Sequence, residues 1–259
     1  MNSSFFSRRR AIVSAGLAAV LFASACGAAS AADLTVSAAA SLTNAFTELG
    51  KAFEAENPGT KVQFNFAASG ALLQQIAKGA PVDVFASADQ QTMNQAQEQQ
   101  LVRAEARVNF VSNSLVVIVP SDAATSPKTL AELNTPAYKR IAIGVPASVP
   151  VGRYTQGVLE KAGLWTAIEA KMIGAQSVRQ ALDYVARGEV EAGFVYGTDA
   201  AVMPDKVKVA FAVPTETPVL YPIAPIAAGS NAAAAQKFVA YVMSPPAQAV
   251  LAKFGFGKP

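Results

Sequence analysis

The chain has 259 residues and contains no histidine, one cysteine and one tryptophan. Without histidine, Ser-His-Asp and Cys-His nucleophilic catalysis is excluded, and so are the usual zinc sites. S-x-x-K and G-x-S-x-G are missing as well, so a hydrolase would have to work with carboxylates alone. No pair of acids stands out for that work, and no enzyme activity is expected. The lone cysteine, Cys26, lies near the N-terminus. The rest of the chain has no disulfide to draw on, so its stability must come from a sizeable core. Membrane-crossing apolar runs are lacking too. The uncharged, mostly apolar run Ala11–Ala25 spans 15 residues, short of the ~20 that a spanning helix needs.

That run follows Arg8, Arg9 and Arg10 and precedes the small residues Ala29-Ser30-Ala31-Ala32. This is the layout of an export signal over residues 1–32, cleaved near Ala32, and the expected location is the periplasm. Ser7-Arg8-Arg9 has a faint likeness to a twin-arginine signal, but Ala11 and Ile12 stand where its phenylalanine and leucine belong. Ala23-Ser24-Ala25-Cys26 is like a lipoprotein cleavage box without the leading leucine, so anchoring through Cys26 is the lesser reading. Taking the three signal arginines from the 21 basic residues leaves 18, equal to the 18 acids. A neutral mature chain gives no support for nucleic-acid or membrane-surface binding.

From Leu34 onward, short apolar runs alternate with helical patterns, the signature of an α/β fold with mainly parallel sheets. Strands are expected at Leu34–Ser37, Lys61–Phe66 and Val82–Ala86. Leu42, Ala45, Phe46, Leu49 and Phe53 mark a helix from Ser41, stopped by Asn57-Pro58-Gly59. Leu72, Leu73 and Ile76 mark a second helix, and Asp89 caps a Gln-rich third. The extended stretch Val108–Val119 crosses to a second lobe, where Ile141–Val145, Lys171–Ile173 and Gly193–Val195 repeat the theme. There Ser177 and Gln180 fit a capping box ahead of a helix with Val178, Ala181, Leu182 and Val185 buried. Val219–Ile226 returns the chain, and two helices finish it. The expected division is 33–111 plus 223–259 for lobe I and 112–222 for lobe II, with two crossings serving as a hinge.

Five places put small or hydroxyl residues between an apolar strand and a helix start: Ala38–Ser41, Ala67–Gly70, Val149–Gly152, Gln176–Val178 and Val195–Thr198. Helix starts carry unpaired N–H groups and the positive end of the helix dipole, so their convergence makes an oxyanion site without charged side chains. Taken singly, Ser41 and Ser69 read as plain N-caps. Tyr196 reads equally well as a core aromatic with a tied hydroxyl. Asp83, Asp89 and Asp199 read as turn or capping residues.

Val36-Ser37-Ala38-Ala39-Ala40-Ser41-Leu42-Thr43 resembles the opening of the periplasmic molybdate-binding proteins, the soluble receptors of molybdate ABC importers. The likeness continues through Ala68–Leu72, Pro81–Ala88, Val149–Tyr154 and Val195–Ala200, in order and with similar spacing. The resemblance implies a two-lobed periplasmic-binding-protein fold of type II that closes on one tetrahedral dianion, molybdate or tungstate. It implies no cofactor, an inner-membrane ABC permease as partner, and a monomer. Molybdenum enters only as the bound oxyanion. Carried over by position, the ligand set is Ser41 and Ser69 (hydroxyl and N–H), the Val151 and Val178 amides, and the Tyr196 hydroxyl. Val151 stands where the family commonly has alanine, and Arg153 where it has an apolar residue; Arg153 is given no role. A receptor for sulfate or another tetrahedral oxyanion is the alternative.

Overall fold

The computed structural model describes residues 32–259. The export-signal reading, with Arg8, Arg9, Arg10 and Cys26, lies outside the described residues. Strand β1 (Ala32–Ala39) is paired on both sides and covered on both faces, so Leu34, Val36, Ser37 and Ala38 are all fully buried. A 3₁₀ turn over Ala40–Leu42 precedes α1 (Thr43–Glu56), so the α-helix starts two residues later than expected from Ser41. β2 (Thr60–Ala67), α2 (Ser69–Ala77), β3 (Val84–Ala86), α3 (Gln90–Glu98) and β4 (Val108–Asn113) follow. Asp89 caps α3 as expected, accepting the Thr92 N–H at 3.1 Å.

The second lobe holds β5 (Leu115–Pro120), β6 (Ile141–Gly144), α4 (Pro150–Lys161), α5 (Trp165–Glu169) and β7 (Met172–Ala175). It continues with α6 (Val178–Ala186), β8 (Ala192–Tyr196), the single turn α7 (Gly197–Ala200) and β9 (Val207–Val213). The chain then returns through β10 (Val219–Pro225) to α8 (Ala232–Val242) and α9 (Pro245–Lys253). Among the described residues, no helix is long and apolar enough to cross a membrane.

Two five-stranded sheets result, ordered β2-β1-β3-β10-β4 and β7-β6-β8-β5-β9. Each is mixed, with four strands running one way and one reversed. The reversed strand is the one arriving from the other lobe, β10 in the first sheet and β5 in the second. It enters without the crossover helix that a parallel neighbour requires, so it runs against the strands beside it. Pairing also moves the lobe boundaries. β4 stays in the first sheet to Asn113, and β10 joins that sheet from Val219. The expected cuts at 111/112 and 222/223 therefore fall inside strands; the crossings are Ser114 and the 214–218 loop.

The first core is aromatic. Phe46 of α1 lies 6.0 Å from Phe64, 5.7 Å from Phe110 and 6.1 Å from Phe238 between ring centres. Each buried phenylalanine contributes about 1.5–3 kcal/mol, and this cluster ties α8, from the end of the chain, to β2 and α1 from its beginning. With both sheets fixed this way, the carboxyl ends of their parallel strands meet at the boundary between lobes. Ligands in open α/β sheets sit at such strand ends.

Candidate functional site

Strand register brings the expected residues together. Ala39 of β1 pairs with Ala67 of β2, so Ser41 and Ser69, each two residues further on, emerge side by side. In the second lobe Gly144 of β6 pairs with Ala175 of β7, which sets the start of α4 beside the start of α6. Tyr196 ends the neighbouring β8. Ser41, Ser69, Val151, Val178 and Tyr196 all line one cavity of about 10 Å³ between the lobes, room for the centre of one water-sized body. All five are buried, with exposures of 5% or less. Among the described residues that line it, none is charged; the others are alanines, Val149 and Pro150.

Ser69 is the first residue of α2, Val178 the first of α6 and Val151 the second of α4. Amides at these positions have no acceptor within their own helix. Ser177 caps α6 by accepting the Gln180 N–H at 3.2 Å, as expected. The return arm of the expected capping box differs: the Gln180 side chain accepts from the Gln176 N–H, one residue earlier than Ser177. The Ser69 hydroxyl oxygen accepts the Ala88 N–H at 3.0 Å. The Tyr196 hydroxyl faces the Ala88 carbonyl across the cleft at 3.5 Å, a long contact that leaves its proton available. Burial pushes the Tyr196 phenol far above its ordinary range, so it stays a donor.

Two arginines span the boundary between lobes. Arg153 of α4 donates to Asp89 at 2.8 Å and to the Thr92 hydroxyl at 2.7 Å, both on the first lobe. Sequence reasoning gave Arg153 no role; the structure makes it an interlobe link, with only 16% of its side chain exposed. Arg179 of α6 reaches Asn44 at 2.8 Å and the Ser41 carbonyl at 3.3 Å. It also pairs with Asp199, which is therefore an ion-pair partner where a turn or cap was expected. Asp83 sits in a bend, as a turn residue would, and accepts the Thr35 N–H at 2.9 Å and the Asn231 N–H at 3.0 Å. The two arginines thus tie the lobes to each other.

Asp199 is fully buried, and burial pushes its carboxyl up to about 6 although the Arg179 guanidinium pulls the other way. A native pKa above the ordinary 3.8 means that the folded state holds this proton more tightly than the unfolded state does. Its contribution to stability is thus complete at low pH and declines as pH rises from about 4 to about 6. Asp199→Asn removes that decline. Denaturant unfolding of both proteins across this range should show wild type losing roughly 2–3 kcal/mol relative to the variant. Parallel profiles would mean that Asp199 titrates normally.

The whole architecture has known counterparts. The sequence profile described as bacterial extracellular solute-binding protein matches residues 34–257. The chain belongs to this family. It is 36% identical over 232 residues to the molybdate-binding protein ModA of Haemophilus influenzae, covering 88% of this chain and 91% of that one. It is 37% identical over 228 residues to the ModA of Escherichia coli strain K12, covering 86% and 88%. The solved Azotobacter vinelandii periplasmic molybdate-binding protein superposes with a TM-score of 0.76 at 25% identity, covering 87% of this chain and 99% of that one. The solute-binding family match takes in both lobes and all twelve residues that line the cavity.

Tyr221 escaped sequence reasoning. Its hydroxyl lies 3.0 Å from the Ser41 oxygen, 180 residues away in the chain. In sequence it is one apolar position of a returning strand, and nothing local marks its partner.

Proposed function

We propose that this protein captures molybdate, with tungstate as an equivalent guest, in the interlobe cavity and delivers it to the permease of an ABC importer. One observation carries the reading: the interlobe cavity is lined by Ser41, Ser69, Val151, Val178 and Tyr196 and, among the described residues, by no charged group. Molybdate at neutral pH is fully deprotonated, and its four oxygens only accept hydrogen bonds. The hydroxyls and free amides around the cavity offer donors. Phosphate still carries a proton at that pH and would leave it unpaired in a dry site, at roughly 1–3 kcal/mol. Sulfate shares molybdate's hydrogen-bonding character and differs in size, so it is the competing guest.

Burying a dianion without a counter-charge is costly. Here α2, α4 and α6 aim their N-termini at the guest, and each contributes about 0.3–1 kcal/mol, up to ~2 when buried. Hydrogen bonds to a charged partner add about 1.5–3 kcal/mol each. The nearby arginines are already matched by Asp89 and Asp199. Periplasmic location belongs to the same reading, supported by the signal-like residues 1–32 and by the extracellular family; action as a monomer is part of the proposal.

A thermal-shift and calorimetric series with molybdate, tungstate, sulfate and phosphate tests the proposal, since a guest that binds only the folded state raises the melting point. Molybdate and tungstate should give the largest shifts, sulfate less and phosphate none. A shift from phosphate alone would overturn the reading. Ser41→Ala and Ser69→Ala should each weaken molybdate about tenfold to a hundredfold, one charged hydrogen bond being lost, while both variants stay folded. Unchanged affinity in both would remove the serines from the site.

A further inference from the structure

Behind Ser41 runs a chain of side chains that one amide orients. Asn113 ends β4 at the crossing, and its Oδ1 accepts the Ser114 N–H at 2.9 Å. That bond fixes which way the amide faces. Its Nδ2 therefore donates both hydrogens, to Thr198 Oγ1 at 2.8 Å and to the Tyr221 hydroxyl oxygen at 3.2 Å. An amide nitrogen cannot accept. Either hydroxyl could donate in the 3.0 Å contact between Tyr221 and Ser41 Oγ; because Asn113 already donates to Tyr221, the arrangement that uses every hydrogen has Tyr221 donating to Ser41. The Ser41 oxygen is then engaged as an acceptor, and its hydrogen is left for the cavity it lines. Burial keeps the Tyr221 phenol protonated, so the relay does not break by ionisation.

Ser69 is set up the same way by other means. The Ala88 backbone N–H, a donor that cannot reverse, occupies its oxygen. Both serines thus have a donor at their backs. We propose that Asn113 and Tyr221 act as positioning residues that turn the Ser41 hydroxyl hydrogen into the cavity, favouring oxyanions that carry no proton. The inference rests on the oxyanion-receptor reading and extends it to residues outside the cavity lining. A guest with an O–H group, such as hydrogenphosphate or hydrogenarsenate, can be accepted only by a serine lone pair that turns the serine's own hydrogen out of the cavity. Without Tyr221, Ser41 could turn its lone pair toward such a guest.

A double-mutant cycle separates this role from simple packing, because a residue that acts through another has no effect once that other is gone. Tyr221→Phe keeps the ring, packed edge-on 5.7 Å from Tyr196 and 5.7 Å from Phe256, and circular dichroism checks that it folds. Calorimetry should show Tyr221→Phe weakening molybdate about tenfold when Ser41 is present and less than twofold in the Ser41→Ala background. Competition against bound molybdate should show hydrogenphosphate gaining about tenfold relative to molybdate in Tyr221→Phe, while the sulfate-to-molybdate ratio stays constant. Asn113→Ala, on a half-exposed position, gives a second arm: a loss of about threefold, again only with Ser41 present. Equal weakening in both backgrounds, or none with Ser41 present, overturns the proposal. Wild-type protein that binds none of molybdate, tungstate or sulfate would sink the oxyanion reading itself, a result distinct from a failed cycle.

Discussion

Replacing Gly70 with alanine is expected to cut molybdate affinity at least a hundredfold and to leave the ligand-free protein as stable as before. Gly70 lies in the first turn of α2, on the first lobe, and its N–H donates across the cleft to the Ser148 carbonyl at 3.0 Å. A Cβ there would lie 2.6 Å from that oxygen and 2.8 Å from the Ser148 Cα. Both are backbone atoms, so no rotamer relieves the overlap; the lobes must stay apart. Within its own helix the change is favourable, since alanine outranks glycine by about 1 kcal/mol. The open protein should therefore melt at or slightly above the wild-type temperature. A guest held by both lobes would lose the donors of one, and a hundredfold corresponds to about 2.8 kcal/mol, one or two charged hydrogen bonds. Calorimetry on Gly70→Ala beside a ligand-free melt checks both halves. Wild-type affinity would show that closure follows another line and that Ser148 moves freely.

The same substitution shows where sequence reasoning reaches its limit. The strand-to-helix junctions were legible in a few consecutive residues each; Ser41, Ser69, Val151, Val178 and Tyr196 within them came from the resemblance to the periplasmic molybdate-binding proteins, and the structure puts all five on one cavity. Parallel register then collects such junctions at one end of a sheet without further information. Contacts between lobes carry no local signal. Arg153 and Asp89 are 64 residues apart and Tyr221 and Ser41 are 180 apart, and a lone arginine or tyrosine reads as surface or core until its partner is known. Lobe boundaries missed for a related reason: β4 and β10 are apolar strands on either side of the true crossings, and composition does not change where they change sheets. The short α5, with one buried residue, Ile168, is too brief for helical periodicity to register. The hydrogen-bond chain behind Ser41 depends on the orientation of a single amide, which the Ser114 N–H fixes.

Gly152→Ala should be the most destabilising single substitution in the site, by more than about 3 kcal/mol, because it overpacks backbone against backbone. Its Cβ would lie 1.9 Å from the Gly144 carbonyl oxygen and 2.6 Å from the carbon. Gly144 ends β6 and cannot retreat, being paired with Ala175 of β7 in the ladder that also carries the Val145 N–H to the Ala175 carbonyl at 2.8 Å. Relief requires α4 to lift away from the strand, and Val151, one residue earlier, would carry its N–H out of the cavity. Stability and affinity should therefore fall together, with a melting point lower by roughly 10 °C for a chain of this size. Gly157, in the same helix, is exposed and would place a Cβ against nothing within 4 Å. Gly157→Ala is expected to raise stability by up to about 1 kcal/mol and to leave binding unchanged. If both alanine variants melted alike, the close seating of α4 on the end of β6 would not be what holds the Val151 amide in the cleft.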